Sequence, residues 1–249
     1  MDTKLLFQIF QLVVIIVILI FLIRYFWSTY FDADYLPSAY KEKKKRAEIS
    51  KKLSALERKY PDKVRFFNFW FQVERLRKEK ISGDFAELGV YKGKTAAILH
   101  EMDPGRTLHL FDTFEGFAAE DLQKESGEAA TYSTERFSDT AIGKVRKRFS
   151  DGADIKIHPG HFPGSAQNIE ETRYALVSMD VDLHDPTLEG LKYFYPRLSP
   201  GGVIIIHDYN YKWEGLMRAA DEFVKDIPES LIPVADMESS VMIIRQKNG

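Results

Sequence analysis

The chain opens on a run from which polar positions almost vanish. Residues 5–23 read LLFQIFQLVVIIVILIFLI, with Gln8 and Gln11 the polar exceptions and no charge. A helix of that length crosses a hydrocarbon core of about 30 Å. Over residues 12–23 there is no polar face, which argues against a helix buried in a soluble core. RYFW follows, supplying Arg24 and a belt of interfacial aromatics. A cleaved signal peptide fits poorly, because the apolar region is too long and no small-residue cleavage site follows it. The pattern predicts a single-pass membrane anchor.

The pattern then inverts. Residues 41–52, KEKKKRAEISKK, hold seven Lys or Arg against Glu42 and Glu48. This excess of cations after the span predicts that the C-terminal side is cytoplasmic. Ile49, Leu53, Leu56 and Tyr60 recur with helical spacing and share one face. The basic stretch suits an anionic lipid surface, and suits a solvated linker helix equally well.

From Asp84 onward, short apolar runs alternate with helical patterns. FAEL, TLHLF, IKIH, YALVSMD, GVIIIHD, LIPVA and SVMIIR read as strands. Helices are expected at about 95–102, 141–149, 188–195 and 215–225. Near-continuous apolar strands separated by helices imply a parallel sheet covered on both faces. LIPVADMESSVMIIR brings the last two strands close together, which predicts a terminal hairpin with one antiparallel strand. NFWFQVERLRKEK, ahead of the first strand, reads as a helix covering the sheet. The expected organisation is an anchor over 1–28, a basic linker and helical lead-in over 29–80, and one α/β domain over 81–249.

Composition narrows the chemistry. Of 249 residues, 35 are Lys or Arg and 37 Asp or Glu, so nothing in the overall charge points to nucleic acid. The chain has no cysteine, which excludes disulfides, thiolate metal sites and a Cys nucleophile. A homo-oligomer is compatible with the sequence but not specified by it.

In a sheet of this kind, ligands bind at the carboxyl ends of the strands. The first strand runs into ELGVYKGKT, where Gly89 and Gly93 permit a tight turn and close approach of backbone to ligand. A dinucleotide fingerprint wants three glycines to fit a pyrophosphate. Two glycines with Tyr91 and Lys92 between them suit S-adenosyl-L-methionine better, with Glu87 placed for its ammonium. Asp112, at the tip of the second strand, is placed for ribose hydroxyls. HPGHFPGSAQNI follows the third strand and offers His161 and Phe162 to the adenine.

SMDVDLHDPT ends the fourth strand and GVIIIHDYN the fifth. Neighbouring parallel strands bring Asp180 close to Asp208, and converging carboxylates need a cation or proton between them. A divalent ion held by Asp180, His207 and Asp208 satisfies that need. Asp182 is a further ligand or a supporting group, and Asp185, ahead of Pro186, is expected to cap the next helix.

GDFAELGVYKGKTA, LFDTFEGF, GHFPGSAQNIEE, DVDLHDPT, YPRLSPGGVIIIHDYN and GLMRAADEF occur in that order. Together they resemble the macrocin O-methyltransferase (TylF/MycF-type) family of S-adenosylmethionine-dependent sugar O-methyltransferases, over about residues 81–245. The resemblance implies a Rossmann-like class I methyltransferase fold with a seven-stranded, mostly parallel sheet. It implies a cofactor site at Glu87, Gly89, Gly93 and Asp112, and a Mg²⁺ site using Asp180 and the pair after the fifth strand. Three positions depart from the family: His207 stands where it has Asp, His184 where it has Tyr, and Ala118 where it has Pro. His207 brings Mn²⁺ into play beside Mg²⁺, because imidazole suits later divalent ions better.

The expected reaction is attack of a sugar hydroxyl on the sulfonium methyl. The metal lowers the hydroxyl's pKa, and Asp180 or His207 takes its proton. The polar segment 115–137 is expected to act as a lid. The acceptor is expected to be a small-molecule or lipid-linked sugar, methylated at the cytoplasmic face of a membrane. Two rivals share the fold class: a nicotinamide oxidoreductase, and a membrane-tethered module without catalysis.

Overall fold

A computed structural model describes residues 3–30 and 35–247. Packing divides the chain into two units, through Glu48 and from Ile49 onward. The expected boundaries were after residues 28 and 80. Among the described residues, the first unit holds two helices, α1 (Thr3–Tyr30) and α2 (Ser38–Lys45). The stretch Thr3–Trp27 of α1 has a mean hydropathy of 3.1 and is long and apolar enough to cross a membrane, with none of it buried.

The second unit opens with two helices. α3 (Lys51–Lys59) begins at Ser50, whose hydroxyl accepts from the Leu53 amide at 2.9 Å. α4 (Lys63–Lys78) begins at Asp62, whose carboxylate accepts from the Arg65 amide at 2.9 Å. Such side-chain caps satisfy amides that the first helical turn leaves unpaired. Phe66, Phe67, Phe69, Trp70, Val73 and Leu76 form the buried side of α4.

The sheet holds seven strands: β1 (Asp84–Leu88), β2 (Leu108–Asp112), β3 (Ile155–Pro159), β4 (Tyr174–Met179), β5 (Leu198–Ile206), β6 (Ile232–Pro233) and β7 (Val241–Ile244). Their order is β3-β2-β1-β4-β5-β7-β6, with β7 antiparallel to β5 and β6 and the other pairs parallel. This is the expected doubly wound, class I methyltransferase arrangement, with the switch in order between β1 and β4. All of β4 is buried, as its unbroken apolar run requires of a strand covered on both faces. The expected sixth strand shrinks to two residues, because Pro233 cannot donate to a longer ladder.

Between the strands lie α5 (Lys94–Met102), α6 (Ala119–Leu122), α7 (Ile142–Arg146), α8 (His184–Phe194) and α9 (Glu214–Phe223). α7 is shorter than its pattern suggested. α8 starts four residues before the expected 188, since Pro186 falls in its first turn, where a missing amide hydrogen costs nothing. Asp185 does not cap this helix. Leu183 is the N-cap residue, and Asp185 pairs instead with His184 at 2.8 Å and with Lys124. Glu125 takes up the cap's work, accepting from the His184 amide at 2.6 Å.

Candidate active site

A cavity of about 740 Å³ opens at the carboxyl ends of β1, β2, β4 and β5. Two strand pairings set its geometry. Leu88 of β1 stands beside Phe111 of β2, so the Gly89 turn leaves the sheet beside Asp112, one residue after Glu87's pair with Leu110. Met179 of β4 stands beside Ile206 of β5, so Asp180 emerges beside His207.

Glu87 is 2% exposed, and its Oε2 has no hydrogen-bond partner. Burial pushes this carboxyl well above its ordinary pKa, and the Asp180 charge adds to the effect. A buried unpaired acceptor is costly, so this atom asks for a donor from a ligand. Gly89 follows with φ +85°, and a Cβ there would lie 2.0 Å from the Asp180 carbonyl oxygen. Only glycine lets β1 and β4 come so close. Gly93 has φ +67° and is the N-cap residue of α5, against Val145.

Asp112 lines the cavity, but most of its bonding is internal. Oδ2 accepts the Val90 and Tyr91 amides at 2.7 and 2.8 Å, and Oδ1 accepts the Phe114 amide at 2.6 Å. His161 also lines the cavity and bridges to α6, through Nε2 to Asp121 at 2.8 Å and Nδ1 to Glu120 at 3.2 Å. Phe162 contributes to the wall, yet it is 6% exposed and stacks on Phe194 within the core.

At the other half of the cavity floor, His207 Nδ1 lies 3.2 Å from Asp180 Oδ1 and 3.0 Å from Asp208 Oδ2. One ligand atom from each of the three lies within 4.8 Å of the others, which fits a shared divalent cation. Burial alone would push Asp180 up, but the Arg65 charge and then His207 hold it well below the usual carboxylate range. Burial would lower His207, yet the Asp180 charge and its hydrogen bonds push it up to about 10. Asp182, 5% exposed, is raised well above the carboxylate range by burial and by the charges of Asp180 and Asp208.

Sequence reasoning did not single out Arg65. It lies on α4, 7% exposed, and its Nη2 donates to Asp180 Oδ2 at 2.9 Å. The signal was present: positions 65, 69, 72 and 76 follow one helical face, and an arginine opening a face that carries Phe69 and Leu76 needs a partner. Asp62 was missed too. Its second oxygen accepts the Met237 amide at 2.8 Å, pinning the 236–239 turn to α4 beside the cavity.

Segment 115–137 closes one wall. Ala129 is fully buried, and Phe137 packs edge-on against Tyr91 and Phe117 at 5.1 and 5.4 Å. Arg136 lies over the Tyr132 ring at 3.8 Å.

Residues 36–240 match the family model described as Macrocin-O-methyltransferase (TylF). The chain is similar to the mycinamicin III 3''-O-methyltransferase of Micromonospora griseorubida, 30% identical over 158 residues, covering 58% of this chain and 62% of that enzyme. It is 27% identical over 156 residues to the 8-demethyl-8-(2,3-dimethoxy-alpha-L-rhamnosyl)-tetracenomycin-C 4'-O-methyltransferase of Streptomyces olivaceus, covering 58% of this chain and 60% of that enzyme. The chain therefore spans about three fifths of the length of these curated relatives. The solved O-methyltransferase NovP shares the fold, with a TM-score of 0.65 and 24% identity, covering 74% of this chain and 80% of that one.

Proposed function

The chain belongs to the macrocin-O-methyltransferase (TylF) family, and on that premise we propose that it is a membrane-anchored O-methyltransferase. It transfers the methyl group of S-adenosyl-L-methionine to a sugar hydroxyl, with a divalent metal at Asp180, His207 and Asp208. One observation carries the reading: Glu87, with one oxygen lacking a donor, and the Gly89 turn line the same cavity as Asp180 and His207. Donor and acceptor halves then meet at the switch in strand order, where in-line transfer needs them. The relative that methylates a rhamnosyl-tetracenomycin suggests the acceptor class, a sugar on a small molecule.

The residues divide the work by position. Glu87 holds the donor's ammonium, and Gly89 lets the backbone approach it. Asp112 fixes the turn and keeps lone pairs for the ribose, while His161 and Phe162 lie along the adenine edge. The two carboxylates and imidazole suit Mg²⁺ or Mn²⁺; such an ion, when bound, lowers the pKa of a coordinated hydroxyl. Asp180 or His207 takes the acceptor's proton, both standing on the acceptor side of the cavity. Segment 115–137 excludes water from the wall it closes.

In this reading residues 1–28 anchor the protein, 29–80 form a basic linker and lead-in, and 81–249 carry catalysis on the cytoplasmic side. The anchor favours an acceptor held at a membrane, such as a lipid-linked sugar. The test is calorimetry of the full chain in detergent with S-adenosylmethionine, followed by methyl transfer to free, nucleotide-linked and lipid-linked sugars. Binding of the cofactor, with transfer abolished by chelator, is the expected result. A chain that does not bind S-adenosylmethionine refutes the reading.

A further inference from the structure

Arg65 has more donors than the protein uses. Its Nη2 serves Asp180 at 2.9 Å, while Nε is buried without a partner and Nη1 makes no hydrogen bond among the described residues. The guanidinium belongs to the same cavity wall as Tyr60, Glu87 and Thr95. The Tyr60 and Thr95 hydroxyls meet there at 3.4 Å, a long contact that leaves both free to turn toward a ligand. Thr95 is in the first turn of α5, where backbone amides favour negative charge. Glu87, on that wall, has the complementary defect: a buried oxygen with no donor.

Resting on the donor assigned above, we propose that Arg65, with the Tyr60 and Thr95 hydroxyls, forms a carboxylate subsite for the α-carboxylate of S-adenosylmethionine. Glu87 takes the ammonium of the same amino-acid end. A guanidinium edge left over from the Asp180 pair and a carboxyl oxygen without a donor suit the two ends of a zwitterion, which enters without adding net charge to a low-dielectric site. A lone anion would meet Glu87 and Asp180, and a lone cation would meet Arg65. Arginine suits the task because its planar fork can serve two carboxylates along different edges. The same Arg65 thus joins the donor's amino-acid end to the acceptor side through Asp180.

The test compares S-adenosylmethionine with its decarboxylated form, which keeps the sulfonium and the amine, by calorimetry on the full-length protein in detergent. The parent should bind the decarboxylated form about 10- to 100-fold more weakly, the range for a lost charged hydrogen bond. Arg65→Gln should reduce S-adenosylmethionine affinity to that level and shift decarboxylated affinity less than about twofold. Arg65→Lys, which keeps the charge but not the fork, should fall between. A parent that binds both forms alike overturns the subsite without any variant. Equal weakening of both forms by Arg65→Gln also overturns it, since Arg65 then acts through the fold. Unchanged cofactor binding with slowed transfer assigns the free guanidinium edge to the acceptor, and overturns it too. A parent that binds neither form removes the subsite along with the methyltransferase reading, an outcome distinct from the other three.

Discussion

Arg65 and Asp180, 115 positions apart in the chain, are joined at 2.9 Å between Nη2 and Oδ2. The pair ties the lead-in helix α4 to the end of β4, so a helix outside the sheet helps to shape the cavity floor. It also sets the charge there: the Arg65 cation keeps Asp180 ionised against the burial that would protonate it.

Truncating this cation should strand its partner. Arg65→Met should lower stability by about 2–4 kcal/mol, because a partly buried carboxylate loses its countercharge. Adding Asp180→Asn should recover part of that loss, since the stranded charge is then gone. Thermal melting of the two single variants and the double variant measures the coupling; strictly additive losses would contradict it.

Metal binding should be strongly pH-dependent. His207 holds its proton to about pH 10, so below that pH an ion must displace one proton to use the imidazole. Apparent affinity for Mn²⁺ should rise about tenfold per pH unit between pH 7 and 9. The metal-free fold shows the opposite sign. A pKa raised from 6.5 to about 10 stabilises below pH 6.5, and that contribution disappears as pH rises through 10. His207→Asp should flatten the affinity slope and shift preference toward Mg²⁺. Titrations at several pH values check both trends.

Gly89→Ala should disable the cofactor turn. Its Cβ would meet Asp180 backbone atoms at 2.0 and 2.7 Å, and φ is +85°. Relief requires β1 and β4 to separate, at about 3 kcal/mol or more. Gly105→Ala, with nothing within 4 Å of its Cβ, should melt like the parent. Equal melting temperatures for both variants would refute the close approach.

The proposed anchor and its orientation have a direct measurement. The protein should stay with membranes through an alkaline wash, and protease added outside intact cells should leave residues 49–249 uncut. Cleavage within the lysine-rich stretch 41–52 from outside would reverse the topology.

Much of this arrangement was legible in the chain. β1, β2, β4 and β5 announce themselves as near-continuous apolar runs because both faces of a parallel sheet are covered, and their ends mark where Glu87, Asp112, Asp180 and His207 lie. The Asp180–Asp208 convergence followed from strand adjacency alone. Arg65 was harder, since a helical periodicity shows which face is buried but not which distant carboxylate meets it. Asp112 was read as a ribose ligand, and its three backbone amides were invisible because they depend on how two loops fold back. Helix α8 started early, and Asp185 lost its capping role, because Glu125 arrives from a segment 59 residues upstream.

Asp112 has one more consequence. Its single carboxylate clasps the turn after β1 through Val90 and Tyr91, and the turn after its own strand through Phe114. Neither loop can peel away without giving up the atoms that hold the other. The two therefore form one cooperative unit of local opening, with a shared free energy rather than two independent ones. In hydrogen exchange these three amides trade their protons together, and a ligand that settles either loop slows all three.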